Sequence, residues 1–160
     1  MLGGDIKITW NESGLCGDLS LDAPLTDIST DAGLETAVII SLFTDRRAAG
    51  EELPQNESSG RGWWGDSVTD VQNDKIGSKL WLLFREKQLT SVALRAKEYA
   101  EEALKWLIKD KIVKSINVVA EWHDGGLLAL YVDITRPDGN NLKQRYNLNW
   151  KAQEVLRNGV

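Results

Sequence analysis

The chain has little of the residue types on which most site chemistry is built. Its 160 residues include one cysteine, Cys16, and one histidine, His123. An intrachain disulfide, a cysteine-rich zinc site and a two-histidine metal motif are therefore excluded. Long apolar runs are missing too: stretches such as Ala37 to Leu42 fall well short of the ~20 residues a membrane span needs. The N-terminus, Met-Leu-Gly-Gly-Asp, lacks the basic and apolar regions of a secretory signal, so a cytosolic product is expected unless the chain leaves inside a larger particle. The triplets Asn11-Glu12-Ser13 and Asn56-Glu57-Ser58 are then chance matches to a glycosylation pattern. Positive charge is also in deficit, with 19 Lys and Arg against 24 Asp and Glu, a net charge of -5 and a pI near 5.0. Nothing in that balance forms the basic footprint that neutralises phosphates, so neither nucleic acid nor an anionic membrane surface is expected as a partner.

What is present is an ordinary globular composition, 42% hydrophobic and 27% charged. A chain of this length forms one domain with one core, expected here over residues 1–160. The unusual number is seven tryptophans.

Ile6, Ile8 and Trp10 alternate with polar residues, and Leu19 and Leu21 repeat the pattern after Gly14 and Gly17, which predicts an N-terminal β-hairpin. Ser29, Thr30 and Asp31 offer N-caps to a helix whose stripe is Leu34, Ala37, Val38, Ser41 and Leu42. From about 44 to 76 glycines, charges and Pro54 replace periodic apolar residues, and a loop of that length in a compact domain is usually functional or disordered. Gly77-Ser78 introduces a short apolar helical turn, Lys79 to Phe84, with Leu80, Leu83 and Phe84 inward and Trp81 facing elsewhere.

Thr90 or Ser91 caps the strongest helix, Val92 to Lys109, with Ala93, Ala96, Ala100, Ala103, Leu104 and Leu107 as one stripe and Glu101 to Lys105 as an i,i+4 pair. Three strands follow, Ser115 to Trp122, Leu127 to Thr135 and Gln144 to Trp150, joined through glycine- and asparagine-containing turns. The fold class is α+β: an N-terminal hairpin and two or three helices packed on a C-terminal three-stranded antiparallel meander, with a polar tail at 151–160.

Two segments stand out as contact sites. Thr44-Asp45-Arg46-Arg47 puts two guanidiniums beside a carboxylate, which suits bidentate pairing with a partner's acid and equally complements the end of a helix dipole. Gly60-Arg61-Gly62-Trp63-Trp64-Gly65-Asp66 sets adjacent tryptophans among glycines in a polar loop. One ring can anchor the loop while the other meets a partner, since tryptophan and arginine are favoured hot-spot residues, or both rings can tuck under the loop. A sugar-stacking platform uses the same residue types, and a pair of carboxylates among the 24 acidic residues, with Asp66 or Glu35 as a member, would be its cleaving form. Gly60 to Gly65 lacks the spacing and lysine of a P-loop. No catalytic, cofactor or metal residues are expected.

The run Leu34 to Ala48, the stretch Arg61-Gly62-Trp63-Trp64-Gly65-Asp66, Gly77-Ser78-Lys79-Leu80-Trp81-Leu82-Leu83 and Arg136-Pro137-Asp138-Gly139 together resemble the small baseplate protein family of Mu-like contractile phages. More distantly, the order of elements is similar to the gene-25-type, lysozyme-like baseplate wedge family. The resemblance implies a wedge or sheath-initiating component of a tail baseplate, present in the virion and in host cytoplasm during assembly. It would act by docking to other baseplate and tail proteins, including sheath or tube subunits, and it does not imply hydrolysis. Wedge relatives carry Gly-Glu-Arg after the helix where this chain has Asp45-Arg46-Arg47, so either Arg46 or Arg47 takes the contact role. The expected partner-binding residues are Arg46, Arg47, Arg61, Trp63, Trp64, Asp66 and Trp81.

Overall fold

A computed structural model of the chain describes residues 5–19, 30–31, 34–54, 58–68 and 75–150. The longest helix and the meander form its centre. Helix α2 spans Thr90–Lys109 and buries Val92, Ala93, Ala96, Ala100, Ala103, Leu104 and Leu107, the stripe predicted from spacing. Small alanines along that stripe let the helix axis lie close to the sheet it covers. The sheet comprises Ser115–His123, Leu127–Thr135 and Asn141–Asn149, called β5, β6 and β7 after the four short strands that precede them. Both pairings are antiparallel and β6 is central.

Because side chains alternate along a strand, even-numbered residues share one face. In register, Val118 opposes Val132, Leu130 opposes Tyr146 and Leu128 opposes Leu148, and all six are buried in one cluster with the α2 stripe. The third strand begins at Asn141 rather than Gln144, since pairing with β6 continues through Asn141, Leu142 and Lys143 despite the polarity of Asn141 and Lys143. Trp150 follows the strand and turns inward. It is buried, its indole N–H donates to the Glu86 carbonyl at 2.9 Å, and Phe84 and Trp122 meet it edge to face. The tail at 151–160 lies outside the described residues.

The predicted hairpin is present as β2 (Ile8–Asn11) and β3 (Cys16–Leu19), while β1 (Asp5–Ile6) pairs with β4 (Thr30–Asp31). Leu21 lies outside the described residues. The hairpin packs on helix α1, Glu35–Phe43, through a shared hydroxyl: Thr36 Oγ1 accepts from the Ile8 N–H at 3.0 Å and donates to the Ile6 carbonyl at 3.1 Å. Trp10 stacks on Phe43 with ring centroids 3.7 Å apart, and Phe43 meets Tyr146 edge to face, tying the hairpin through α1 to the sheet.

Both side-chain caps expected from sequence are absent. Thr30 and Asp31 are taken by β4, Ser29 lies outside the described residues, and Leu34 holds the N-cap position of α1 without a side-chain hydrogen bond. Leu89 does the same for α2, because Thr90 is already helical. The surface ion pair on α2 joins Lys97 to Glu101 at 3.7 Å instead of Glu101 to Lys105.

Leu104, fully buried beneath the sheet, and Leu94, 58% exposed on the same helix, separate packing from propensity. Leu104→Ala is expected to lower unfolding free energy by about 2 to 5 kcal/mol, since it leaves a cavity. Leu94→Ala is expected to change it by no more than about 0.5 kcal/mol. Urea denaturation of the two variants checks the contrast, and equal losses would contradict this placement of the core.

Candidate contact site

The long segment after α1 is organised by Ser78. Its N–H donates to the Thr44 carbonyl at 2.9 Å and its carbonyl accepts from the Arg46 N–H at 2.9 Å, which makes a parallel bridge between Asp45 and Ser78. Its hydroxyl donates to the Leu42 carbonyl at 2.5 Å and accepts from the Leu80 N–H at 3.2 Å. One buried serine therefore ends α1 and starts the six-residue 3-10 helix Leu80–Arg85. The approach needs glycine beside it: Gly77 has φ +94°, and a Cβ there would lie 2.2 Å from the Thr44 oxygen.

On the other side of the same strand-like segment, the Ala48 N–H donates to the Gly60 carbonyl at 2.9 Å. Gly62 at φ +111° packs on Arg47, where a Cβ would come within 2.9 Å of the Arg47 Cβ. Thr44 to Ala48 is thus clamped between residues 60–62 and 77–78. The loop expected at 44–76 is not structureless where it is described; it contains two 3-10 turns, Gly50–Glu52 and Trp64–Ser67.

The arginines divide. Arg46 reaches Glu102 of α2 at 3.5 Å, and its carbonyl accepts from the Trp81 indole N–H at 2.9 Å. Arg61 binds Asp45 at 2.9 Å and lays its guanidinium 4.6 Å from the centroid of the Trp81 ring. Both interactions use directions in which a guanidinium is strong, in-plane donation to a carboxylate and its face over an indole. Arg47 is exposed, and among the described residues it has no ion pair.

The tryptophans divide as well. Trp81, expected from sequence to face away from the core, is only 5% exposed and forms a small second cluster with Ala48 and Leu82. Trp63 and Trp64 stay at the surface, 45% and 75% exposed, with ring centroids 5.5 Å apart and planes tilted by 46°. Trp63 folds back over Gly65, where any side chain would collide with the indole. Asp66 sits behind them, and one of its carboxylate oxygens accepts from the Ile76 N–H at 3.2 Å.

Of the seven expected residues, Arg47, Trp63 and Trp64 are presented outward, while Arg46, Arg61, Asp66 and Trp81 hold the segment that presents them. Asp66 and Glu35, each named as a possible member of an acid pair in the glycan-cleaving alternative, line different grooves, Asp66 beside Trp63 and Glu35 beside Thr9 and Arg145. Sequence reading missed Ser78 as the clamp, Glu102 as a partner of Arg46, and Glu52, which accepts from Lys79 at 2.5 Å and from the Ala49 N–H at 2.9 Å. It also passed over Trp106, whose position off the alanine and leucine stripe of α2 was the available signal.

Residues 34–141 match the family described as phage protein GP46. The chain is 47% identical over 137 residues to the baseplate protein gp46 of Escherichia phage Mu, covering 85% of this chain and 90% of that one. It is 39% identical over 146 residues to the Mu-like prophage FluMu protein gp46 of Haemophilus influenzae, covering 91% and 97%.

Hydrogen bonds from Lys79 and from the Ala49 N–H hold the Glu52 carboxyl below its ordinary value of 4.5. A depressed folded-state pKa contributes stability that is present above the unfolded value and is lost as pH falls through the folded one. Acidification from about pH 5 is therefore expected to destabilise the wild type more steeply than Glu52→Gln, read as the slope of the thermal midpoint against pH. Identical slopes would mean that the Lys79 contact does not restrain the loop.

Proposed function

Since the chain belongs to the phage protein GP46 family, we propose that it is a structural component of a contractile tail baseplate whose output is a set of protein contacts. Its likeness along nearly the whole of a protein named for the Mu baseplate supports that role. Within it, residues 1–160 act as one unit and the 44–76 loop is the contact element. The outward face is Arg47, Trp63 and Trp64, and the neighbours are other tail proteins, among them sheath or tube subunits in a wedge or sheath-initiating arrangement. Assembly takes place in the host cytoplasm, and the finished location is the tail.

The observation that carries the contact face is the contrast inside one loop. Arg46, Arg61 and Trp81 are consumed by internal contacts, whereas the adjacent tryptophans remain exposed on a frame fixed by Ser78 and three glycine approaches. Tryptophans presented on rigid backbone lose little entropy on docking, which is what makes such residues effective anchors. A side chain 75% exposed, as Trp64 is, contributes little to folding.

Trp64→Ala is therefore expected to leave the unfolding free energy within about 0.5 kcal/mol of wild type. The same change, and the Trp63→Ala, Trp64→Ala double variant, should reduce the number of complete tails about tenfold or more, corresponding to loss of a hot-spot contact. Electron microscopy of particles from a null mutant complemented with each variant counts them. Complete tails at wild-type frequency from the double variant would sink the assigned face, and complete tails from the null mutant would sink the baseplate role.

A further inference from the structure

Arg61 holds a backbone conformation that suits glycine. Among the described residues the non-glycine positions with positive φ are Leu15, Arg61 and Lys111, and Arg61 has φ +49°. In the left-handed region a side chain carries a steric cost that glycine escapes. Arg61 sits between Gly60 and Gly62, and a third glycine at that point would remove the cost. An outlier of this kind points to something the side chain does.

What it does is lock the chain just before the tryptophans. Gly60 and Gly62 press on the segment after α1: a Cβ on Gly60 would lie 2.9 Å from the Ala48 oxygen, and one on Gly62 would lie 2.9 Å from the Arg47 Cβ. Both approaches need bare backbone, so neither glycine has a side chain with which to restrain its torsions. Gly62 has φ +111° and follows Arg61 directly, so two successive positive-φ residues precede Trp63. Their torsions set the direction in which the Trp63-Trp64 pair leaves the clamp. Arg61 is the one side chain in the triplet that can fix them. It is held in two directions, in its plane by Asp45 at 2.9 Å and by its face 4.6 Å from the centroid of Trp81. Both anchors are themselves fixed, Asp45 by its bridge to Ser78 and Trp81 by donation to the Arg46 carbonyl at 2.9 Å. The ion pair is 40% and 41% exposed on its two sides, where such a pair contributes little to folding.

We infer that Arg61 is a positioning residue: its side chain sets the direction of Trp63 and Trp64 from a strained backbone, with little return in stability. The inference rests on the contact face proposed above. It adds that assembly and stability separate at this one position.

Two substitutions of the full chain expose that separation. Arg61→Ala removes the side chain and keeps the strain, whereas Arg61→Gly removes both, so the glycine variant is expected to melt about 2 to 4 °C above the alanine variant. Both should nonetheless lower the number of complete tails about tenfold, counted by electron microscopy after complementing a null mutant. Arg61→Lys, which keeps the charge and lacks the planar fork, should fall between them and wild type. In the free chain, amide hydrogen exchange over residues 62–67 should quicken about tenfold in the alanine and glycine variants while α2 is unchanged. If Arg61 only stabilised the fold, tail number would follow the melting midpoint and the glycine variant would assemble better than the alanine variant; that result overturns the inference. Lost tails with unchanged exchange would make Arg61 a direct partner contact and overturn it equally. Failure of the face itself reads differently. Complete tails from the Trp63→Ala, Trp64→Ala double variant remove the face, whereas lost tails there beside complete tails from Arg61→Gly remove only the positioning role.

Discussion

The buried hydroxyl and backbone of Ser78 make the connection on which the contact loop depends. Four hydrogen bonds converge on this residue, from or to Leu42, Thr44, Arg46 and Leu80. They satisfy carbonyls at the end of α1 that the helix itself leaves without partners. They also hold Thr44 to Arg46 extended, and this points the Arg46 carbonyl at Trp81. Trp81 in turn supplies the surface over which Arg61 lies, and Arg61 closes back on Asp45. The sequence of dependence runs from one serine to two arginines and a tryptophan, and the Trp63-Trp64 pair is carried at its outer edge.

The parts of this architecture visible in sequence are those encoded by local repetition. The α2 stripe and the alternating meander faces recur at fixed intervals, so composition in a short window reveals both the element and its buried side. The contact loop is encoded differently. Asp45 and Arg61 are sixteen residues apart, and Arg46 and Trp81 thirty-five, and no periodicity joins them. The tryptophan pair was legible as a singular feature because nothing periodic accounts for it, but sequence left open whether one ring anchors the loop or both tuck under it, and in the structure both are at the surface. Trp81 does face away from the main core, as its spacing suggested, but its burial was not legible because only the docked loop supplies the second covering surface. The missing caps have a related cause: Thr30 and Asp31 suit a cap, yet strand pairing with β1 claims their backbone.

Charge shows the same gap between composition and structure. The chain is acidic overall, and the loop 44–61 carries three arginines. Counted as residues they make a basic patch suited to an acidic partner. Counted as free charges they do not, because Asp45 and Glu102 pair with two of them. Half-exposed pairs of this kind contribute little to stability. Their effect is on geometry, since each fixes a long side chain that would otherwise sample many rotamers.

That difference bears on why a baseplate component would keep apolar rings in water. An isolated surface containing Trp63, Trp64, Val68 and Trp106, all at least 40% exposed, is a liability for a free monomer. In the contact role proposed for this face, the same area is covered by a neighbouring protein. The internal contacts of Arg46, Arg61 and Trp81 then act before docking, by removing alternatives in which the tryptophans collapse onto the chain's own surface. Preorganisation lowers the ordering entropy lost on association, so a small set of exposed rings can anchor a contact that a mobile loop of the same composition would make weakly.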